Sequence, residues 1–366
     1  MSEFTTTDSE MMMRALTLAG RGMFSAHPNP RVGCVLVNDG EIVGEGWHQK
    51  TGEAHAEINA LADAGNAAEG SIAYVTLEPC SHHGKTPPCA DALVQAGVKE
   101  VFVAMEDPNT LVSGDGLKAL RAADIKVHTG LMQDAAIALN EGFVSRMSRG
   151  IPLVRLKIAA SLDGATAMKT GESKWITGEE SRLDVQRLRA SSGAILTGVE
   201  TVLQDDPSLT VRGEFTTDIV AQPLRVVLDS SLRTPTSAKM LELPGTTIIY
   251  CVDDKNREAL EQAGATVKAV KGKDGRPDLD EILGNLAELG VNDVLVEAGP
   301  TLAGAFLMEK RVDELVIYQA PHIMGSETRG MVKTPSWLNL DQRFELEITE
   351  ASIIGRDMVV TARPAK

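Results

Sequence analysis

Four side chains between residues 55 and 89 carry the most legible chemistry in this sequence: His55, Glu57, Cys80 and Cys89. One imidazole and two thiolates supply three metal donors, and the carboxylate lies outside that set. A catalytic zinc centre needs this combination, with three protein ligands and an open fourth position for water. The metal would acidify the water, and Glu57 would take its proton as an amino-bearing ring carbon is attacked. Glu57 would then pass the proton to the ring and the leaving ammonia. A structural zinc would take four protein ligands, with His82 or His83 as the nearby fourth, and that reading leaves Glu57 idle. Singly, His55 is an ordinary histidine and the two cysteines ordinary core filler; it is the set that points to a metal.

The spacing dictates how these residues must be held. Positions two apart on a helix point to nearly opposite sides, so His55 and Glu57 converge only where His55 opens a helix and Glu57 sits in its first turn. Gly52 upstream permits that start. Cys89 follows Pro87-Pro88, the punctuation of a residue beginning a helix, and the positive helix end there favours the thiolate. Zinc deaminases carry a related signature, H-x-E followed by P-C-x-x-C; here eight residues separate the cysteines.

The surrounding pattern alternates strands and helices. A helix capped by Asp8 or Ser9 runs to about residue 21, and His27-Pro28-Asn29-Pro30 is a loop. Strands are expected at 32–37 and 42–47 about an Asn38-Asp39-Gly40 turn, then at 72–77, 101–105 and 125–127. Helices are expected at 55–64, 90–96, 117–123 and 133–143. The basic, Gly/Pro-bearing stretch 146–152 marks a boundary, giving domains at 1–148 and 149–366. Beyond it, strands are expected at 153–159, 194–197, 224–228, 246–251, 293–297 and 314–319, with 344–348 and 358–361 closing the sheet. Helices are expected at 179–190 (capped near Thr177), 256–263, 279–289 and 302–310. The fold class is α/β in both halves.

Composition narrows the function classes. A chain of 366 residues suits two domains, and 43% hydrophobic with 24% charged residues suits a core-forming globular protein. A net charge of −15 opposes a nucleic-acid partner while leaving small phosphorylated ligands open. No apolar run approaches membrane-spanning length, and Met1-Ser2-Glu3-Phe4-Thr5 lacks the makings of a signal peptide, so a cytoplasmic protein is expected. Four cysteines do not make a disulfide framework. The number of strand edges favours a homodimer.

Longer motifs now come into play. They are His27–Pro30, His55-Ala56-Glu57, the string from Thr76 through Glu78-Pro79-Cys80 to Pro88-Cys89, and Lys157-Ile158-Ala159-Ala160-Ser161-Leu162-Asp163-Gly164. Gly171-Glu172-Ser173-Lys174-Trp175-Ile176-Thr177, Asp205-Asp206-Pro207-Ser208-Leu209-Thr210-Val211-Arg212 and Val296-Glu297-Ala298-Gly299-Pro300-Thr301-Leu302 follow in order. Together they resemble the bifunctional deaminase/reductases of riboflavin biosynthesis over nearly the whole chain; 213–222 and the tail beyond 330 carry no matching motif. The resemblance implies a three-layer cytidine-deaminase-like domain followed by a dihydrofolate-reductase-like domain. The first would deaminate 2,5-diamino-6-ribosylamino-4(3H)-pyrimidinone 5′-phosphate, and the second would reduce the ribosyl chain to ribityl with NADPH. It assigns Zn2+ to His55, Cys80 and Cys89 and the proton shuttle to Glu57. Asn29, His48, His82 and Lys85 would line the pyrimidine pocket. Ala159, Trp175, Thr201, Asp205 and the turn Gly299, Pro300, Thr301, Leu302, Ala303, Gly304, Ala305 would surround NADPH. Lys157, Ser173, Arg189, Leu209, Arg212 and Glu297 would meet the substrate.

The residues of the second half support part of this unaided. Gly299-Pro300 joins an apolar strand to a helix, where backbone N–H groups suit a cofactor phosphate; the pattern is not G-x-G-x-x-G. Arg189 and Arg212 could pair with a substrate phosphate. Asp205, in a loop over 204–207, could orient an open-chain sugar for hydride attack. Ser230, Ser231 and Arg233 are candidates for a 2′-phosphate. A zinc deaminase of tRNA or other nucleic-acid bases, with an accessory second domain, is the competing enzyme reading; a zinc-stabilised nucleotide- or pterin-binding module is the non-enzymatic one.

Overall fold

The computed structural model describes residues 4–81, 88–109 and 113–365. The chain forms two compact units, Met1–Gly150 and Ile151–Lys366.

In the first unit α1 (Thr6–Gly20) leads to the hairpin β1 (Gly33–Asn38) and β2 (Glu41–Trp47). Next come α2 (Ala56–Ala64), β3 (Ile72–Val75), α3 (Cys89–Gln95) and β4 (Glu100–Val103). The unit closes with α4 (Asp115–Ala122), β5 (Lys126–Thr129), α5 (Gln133–Leu139) and α6 (Glu141–Arg149). The sheet order is β2-β1-β3-β4-β5, with β1 antiparallel to both neighbours and β3, β4 and β5 parallel. Asn38 pairs with Glu41, leaving a two-residue turn whose Asp39 and Gly40 both have positive φ, 49° and 84°, the conformation Asp-Gly favours. Two glycines show how closely helices lie on the sheet. A Cβ on Gly33 would fall 2.0 Å from the Ala15 carbonyl oxygen of α1, and one on Gly46 would fall 2.3 Å from that of Ala56 on α2. Gly33 and Gly46 are one register step apart across the β1–β2 pair and so face opposite ways. Helices therefore cover both faces, which makes the three layers expected. Tyr74, Phe102 and His128 sit in register on β3, β4 and β5 and stack, with ring centroids 4.9 and 4.5 Å apart.

Local details depart from the sequence reading for identifiable reasons. The first helix is capped by Thr5, not Asp8 or Ser9: the Thr5 hydroxyl accepts from the Asp8 N–H while Asp8, at N3, returns a bond to the Thr5 N–H. The expected helix at 133–143 is two helices, broken at Asn140. That buried side chain accepts from the Arg31 N–H at 2.8 Å and donates to the Arg31 carbonyl at 2.9 Å, while the Asn140 N–H bonds to Ile137, three residues back, where the first helix tightens and ends. The second of these helices ends at Gly150 in the left-handed conformation (φ 70°), so the boundary drawn at 148/149 lies within its last turn.

The second unit begins with β6 (Leu153–Ser161), β7 (Ala165–Met168), α7 (Glu179–Ala190), β8 (Ala194–Gly198) and α8 (Val199–Asp205). It continues with β9 (Leu224–Leu228), α9 (Lys239–Glu242), β10 (Thr247–Cys251), α10 (Arg257–Gln262) and β11 (Ala265–Ala269). Short β12 (Gly272–Lys273) and β13 (Arg276–Pro277) precede α11 (Leu279–Glu288), β14 (Asp293–Glu297), α12 (Pro300–Met308) and β15 (Glu314–Ala320). Then come β16 (Thr328–Gly330), β17 (Leu346–Ile354) and β18 (Asp357–Pro364). Nine strands make one sheet, ordered β11-β10-β9-β8-β14-β6-β15-β18-β17. The first seven are parallel; β18 and β17 add an antiparallel hairpin edge. Central β14 carries Val294, Leu295 and Val296, all fully buried, as a parallel strand covered on both faces requires. α7 is capped by Gly178 instead of Thr177, because the buried Asp357 carboxylate from β18 takes the Gly178 N–H and the Ser181 hydroxyl, each at 2.6 Å. Asp205 closes α8 instead of lying in a loop, and Asp206 turns the chain with φ 41°.

Candidate active sites

In the first unit His55 is the N-cap of α2, with extended backbone (φ −73°, ψ 167°), and Glu57 follows in the first turn. Cys89 is the first residue of α3, with Pro88 as its cap. His55 Nδ1 lies 3.3 Å from Cys89 Sγ and 3.6 Å from Cys80 Sγ, and the Cys89 backbone N–H donates to Cys80 Sγ at 3.3 Å. The three ligand atoms lie within 4.8 Å of one another. Among the described residues no other histidine, cysteine or carboxylate joins them. Two sulfurs and one nitrogen converging on one point fit a zinc ion with a position left open. The bond from Cys89 and the neighbouring His55 draw the Cys80 thiol well down, against its burial, while Cys89, the donor in that pair, is pushed up. Glu57 is 3% exposed, and burial raises its carboxyl to about 7 against the opposing pull of its own backbone N–H and of His55. A carboxyl so placed exchanges a proton near neutral pH.

His55, Glu57 and Cys80 open onto a cavity of about 240 Å³. Asn29 and His48 are on its wall, as expected. His48 Nδ1 lies 3.1 Å from the Ala54 carbonyl and can only donate to it, so Nε2 is the acceptor for the Asn29 amide at 3.0 Å. Burial lowers the His48 pKa, in keeping with a neutral ring. His82 and Lys85 lie outside the described residues. Asp107, Asn109, Phe143 and Met147 also line the cavity and escaped the sequence reading. The first two follow the carboxyl end of β4, a place where α/β sheets put ligands, and that signal could have found them.

The second unit has a cavity of about 510 Å³ at the carboxyl ends of β6, β8 and β14. Its wall gathers Lys157, Ala159, Ser173, Trp175, Arg189, Thr201, Asp205, Leu209, Arg212, Glu297, Gly299 and Pro300 from the sequence set. Residues Thr301 to Ala305 do not line it; within α12, Ala303 is buried in the core and Gly304 is buried as well. Only the N-terminal end of that helix reaches the space, where Gly299 caps without a side-chain bond. Ser230, Ser231 and Arg233 are also off the wall, and Arg233 pairs with Glu200 at 2.6 Å.

Sheet register places Lys157 beside Glu297 on adjacent strands. The Glu297 carboxylate is gripped by Arg189, Nε to Oε1 at 2.6 Å and Nη2 to Oε2 at 3.0 Å, and Arg189 Nη1 donates to the Thr210 carbonyl at 2.9 Å. Burial alone would raise the Glu297 pKa, but Arg189, then Lys157 and Arg212, overcome it and hold the group at about 2. Burial lowers the Lys157 pKa, only partly offset by Glu297. Arg189 is thus committed to Glu297 and Thr210, which corrects the expectation that it pairs with a phosphate; Arg212 remains exposed on the same wall.

Lys174, Arg182, Lys239 and Arg329 join Lys157, Arg189 and Arg212 on the wall, facing only Asp205, Asp206 and Glu297 as acids. In a chain of net charge −15, this local excess of cations gives the cleft an electropositive lining that suits anionic ligands. Trp175 is 70% exposed at the opening, with the Arg182 guanidinium 4.8 Å from its ring centroid. None of these added cations had a sequence signal of its own.

A His-Cys-Cys donor set beside a buried carboxyl in one unit and a cation-lined α/β cleft in the other make a two-site chain of the class that joins a zinc hydrolase to a second, anion-accepting domain. Family comparisons agree: the model described as the cytidine and deoxycytidylate deaminase zinc-binding region matches residues 5–105, and that of the RibD C-terminal domain matches 152–360. The riboflavin biosynthesis protein RibD of Escherichia coli K12 is 47% identical over 96% of this chain and 98% of its own length. Acinetobacter baumannii RibD superposes with a TM-score of 0.92 at 44% identity, over 98% of this chain and 99% of that one. A diaminohydroxyphosphoribosylaminopyrimidine deaminase/5-amino-6-(5-phosphoribosylamino)uracil reductase of Thermotoga maritima does so at 0.86 and 31% identity, with the same coverage. The chain belongs to the RibD family of riboflavin biosynthesis proteins. The comparisons do not favour a tRNA deaminase. Among the described residues no helix is long and apolar enough to cross a membrane.

Proposed function

We propose that the first unit hydrolyses the ring amino group of 2,5-diamino-6-ribosylamino-4(3H)-pyrimidinone 5′-phosphate, and that the second reduces the product's ribosyl chain to ribityl. The observation that carries the reading is the three-atom donor set of His55, Cys80 and Cys89 beside the buried Glu57 carboxyl. Zinc held there supplies a Lewis acid and a water acidified towards neutral pH. Glu57 takes one proton from the attacking water and hands it to the ring nitrogen, then carries the proton of the new hydroxyl to the departing amino group, so that the two protons of water end on the ring and on ammonia. Asn29, its amide oriented by His48, presents a fixed polar edge to the pyrimidine.

For the second step NADPH supplies a hydride. The anion-binding cleft suits both the cofactor phosphates and the 5′-phosphate of the sugar, with the open N-terminal end of α12 at Gly299 and Pro300 for the former. Glu297, locked by Arg189, accepts hydrogen bonds from sugar hydroxyls, and Lys157 beside it donates. Lys174 approaches Asp205 at 3.6 Å, placing that carboxylate at the wall to orient the open-chain form for hydride delivery. The same reading makes the chain a cytoplasmic homodimer; none of its four cysteines is in a disulfide, which suits a reducing compartment.

The test is to supply the diaminopyrimidinone substrate with NADPH and follow ammonia release and NADPH oxidation separately. Both are expected. Ammonia without oxidation would leave the deaminase reading standing and overturn the reductase one. Tight RNA binding with a steep salt dependence would revive the nucleic-acid alternative.

A further inference from the structure

Glu78 takes no part in the chemistry above, yet its carboxylate, on the deaminase cavity wall, accepts four backbone hydrogen bonds. It is 6% exposed, two residues before Cys80. Oε2 accepts from the backbone N–H groups of Asp107 at 3.1 Å and Gly114 at 3.0 Å. Oε1 accepts from those of Gly116 at 2.9 Å and Leu117 at 3.4 Å. The Glu78 N–H in turn donates to the Met105 carbonyl at 3.0 Å. A second contact seats the same region: a Cβ on Gly116 would lie 2.0 Å from the Pro79 carbonyl oxygen, so the start of α4 rests directly on the backbone leading to Cys80. Asp107 and Asn109 belong to this assembly. Both line the cavity, and Asp107 Oδ1 accepts the Asn109 N–H at 2.9 Å, holding the pair as one turn. The backbone anchor of that turn, the Asp107 N–H, is held by Glu78.

We propose that Glu78 is a positioning residue for deamination, fixing the Asp107–Asn109 wall of the cavity to the strand end that delivers Cys80. Each carboxylate oxygen binds two N–H groups, so the wall on one side and the start of α4 on the other are tied to a single rigid point. A neutral side chain cannot replace it, because an amide presents its own N–H to two of the four donors. Glu78 touches neither the metal ligands' donor atoms nor the Glu57 carboxyl in any bond described here; its effect passes through Asp107 and Asn109.

The inference rests on the deaminase reading, so wild-type ammonia release is measured first; a wild-type protein that releases none defeats that reading and not this one. Glu78→Gln in the full chain is then assayed for zinc content, for KM and kcat of ammonia release, and for NADPH oxidation with already deaminated substrate. The expected result is full zinc content, unchanged reduction, and a drop of roughly 10- to 100-fold in kcat/KM of deamination, the scale of an ångström-sized misplacement, falling more on KM than on kcat. In an Asn109→Ala background Glu78→Gln should cost little more, since the wall is already lost. Wild-type deamination kinetics, loss of zinc, or fully additive losses in the double variant would each overturn the proposal. Should Glu78→Gln fail to fold, Gly116→Ala carries the test, because it displaces α4 from Pro79 with the carboxylate intact. The same KM-weighted loss with zinc retained supports the proposal, and normal deamination overturns it.

Discussion

Replacing Arg189 with methionine would strip three hydrogen bonds from the reductase cleft and leave the Glu297 carboxylate buried without its bidentate partner. The side chains of the pair are 9% and 14% exposed, so solvent cannot take over. Breaking one side of such a buried pair typically costs about 3–5 kcal/mol, because a charge is left without compensation. The pH behaviour gives a second handle. Glu297 ionises ordinarily at 4.5 and is held at about 2 in the folded chain. A depressed carboxyl contributes stability fully present above 4.5 and lost as pH falls towards 2; the difference corresponds to about 3 kcal/mol. The two figures agree in scale. The assay is urea unfolding of the full chain at several pH values, read from Trp175 and Trp337 in a Trp47→Phe background so that the second unit is followed. At pH 7, Arg189→Met and Glu297→Gln should each destabilise, and the double variant should lose clearly less than their sum. The stability advantage of wild type over Glu297→Gln should shrink on acidification from pH 5 to pH 2. Strictly additive single effects at pH 7, or an advantage independent of pH, would refute the view that this pair is a tight, ionised clamp.

Glu57→Gln should keep its zinc and the NADPH-dependent step while deamination falls by roughly 10²- to 10⁴-fold, the usual weight of a positioned proton carrier; metal analysis beside ammonia release checks it. Asp205→Asn should slow NADPH oxidation and leave ammonia release intact, and equal losses in both reactions would indicate misfolding instead. Chelation should abolish ammonia release yet leave reduction of pre-deaminated substrate untouched, and recovery should follow added zinc. A chelated enzyme that still deaminates would remove zinc from the account.

How much of this was readable beforehand depends on how far each interaction reaches along the chain. His55 and Glu57 could be placed because two residues at a helix start obey a local rule, and the fold puts them there. The Asp-Gly hairpin and the buried run of β14 are equally local. The Thr5 cap was missed although its Asp8 partner is only three residues away, since Asp8 read as a cap in its own right. Asn140 shows the harder case: it breaks a helix by bonding to Arg31, 109 residues distant. The Arg189–Glu297 clamp spans 108 residues, and nothing in either neighbourhood says that the arginine is already occupied. Likewise, Glu78 sat in plain view inside a motif, but its four partners lie 29 to 39 residues away on backbone that carries no side-chain signal.

The stacked Tyr74, Phe102 and His128 rings bear on this last arrangement. Flat rings on three neighbouring strands behave like marks on a vernier scale: they meet only at one setting of the strands' lengthwise alignment, and a slip of a single residue would turn Phe102 to the opposite face. β4 ends one residue beyond Phe102, and Asp107 and Asn109 leave from that end. The rings therefore set the height from which the cavity wall departs, as a ruler fixes a mark. Enlarging or trimming a ring of that stack is expected to shift where the wall leaves β4, read as a change in KM of ammonia release with zinc retained.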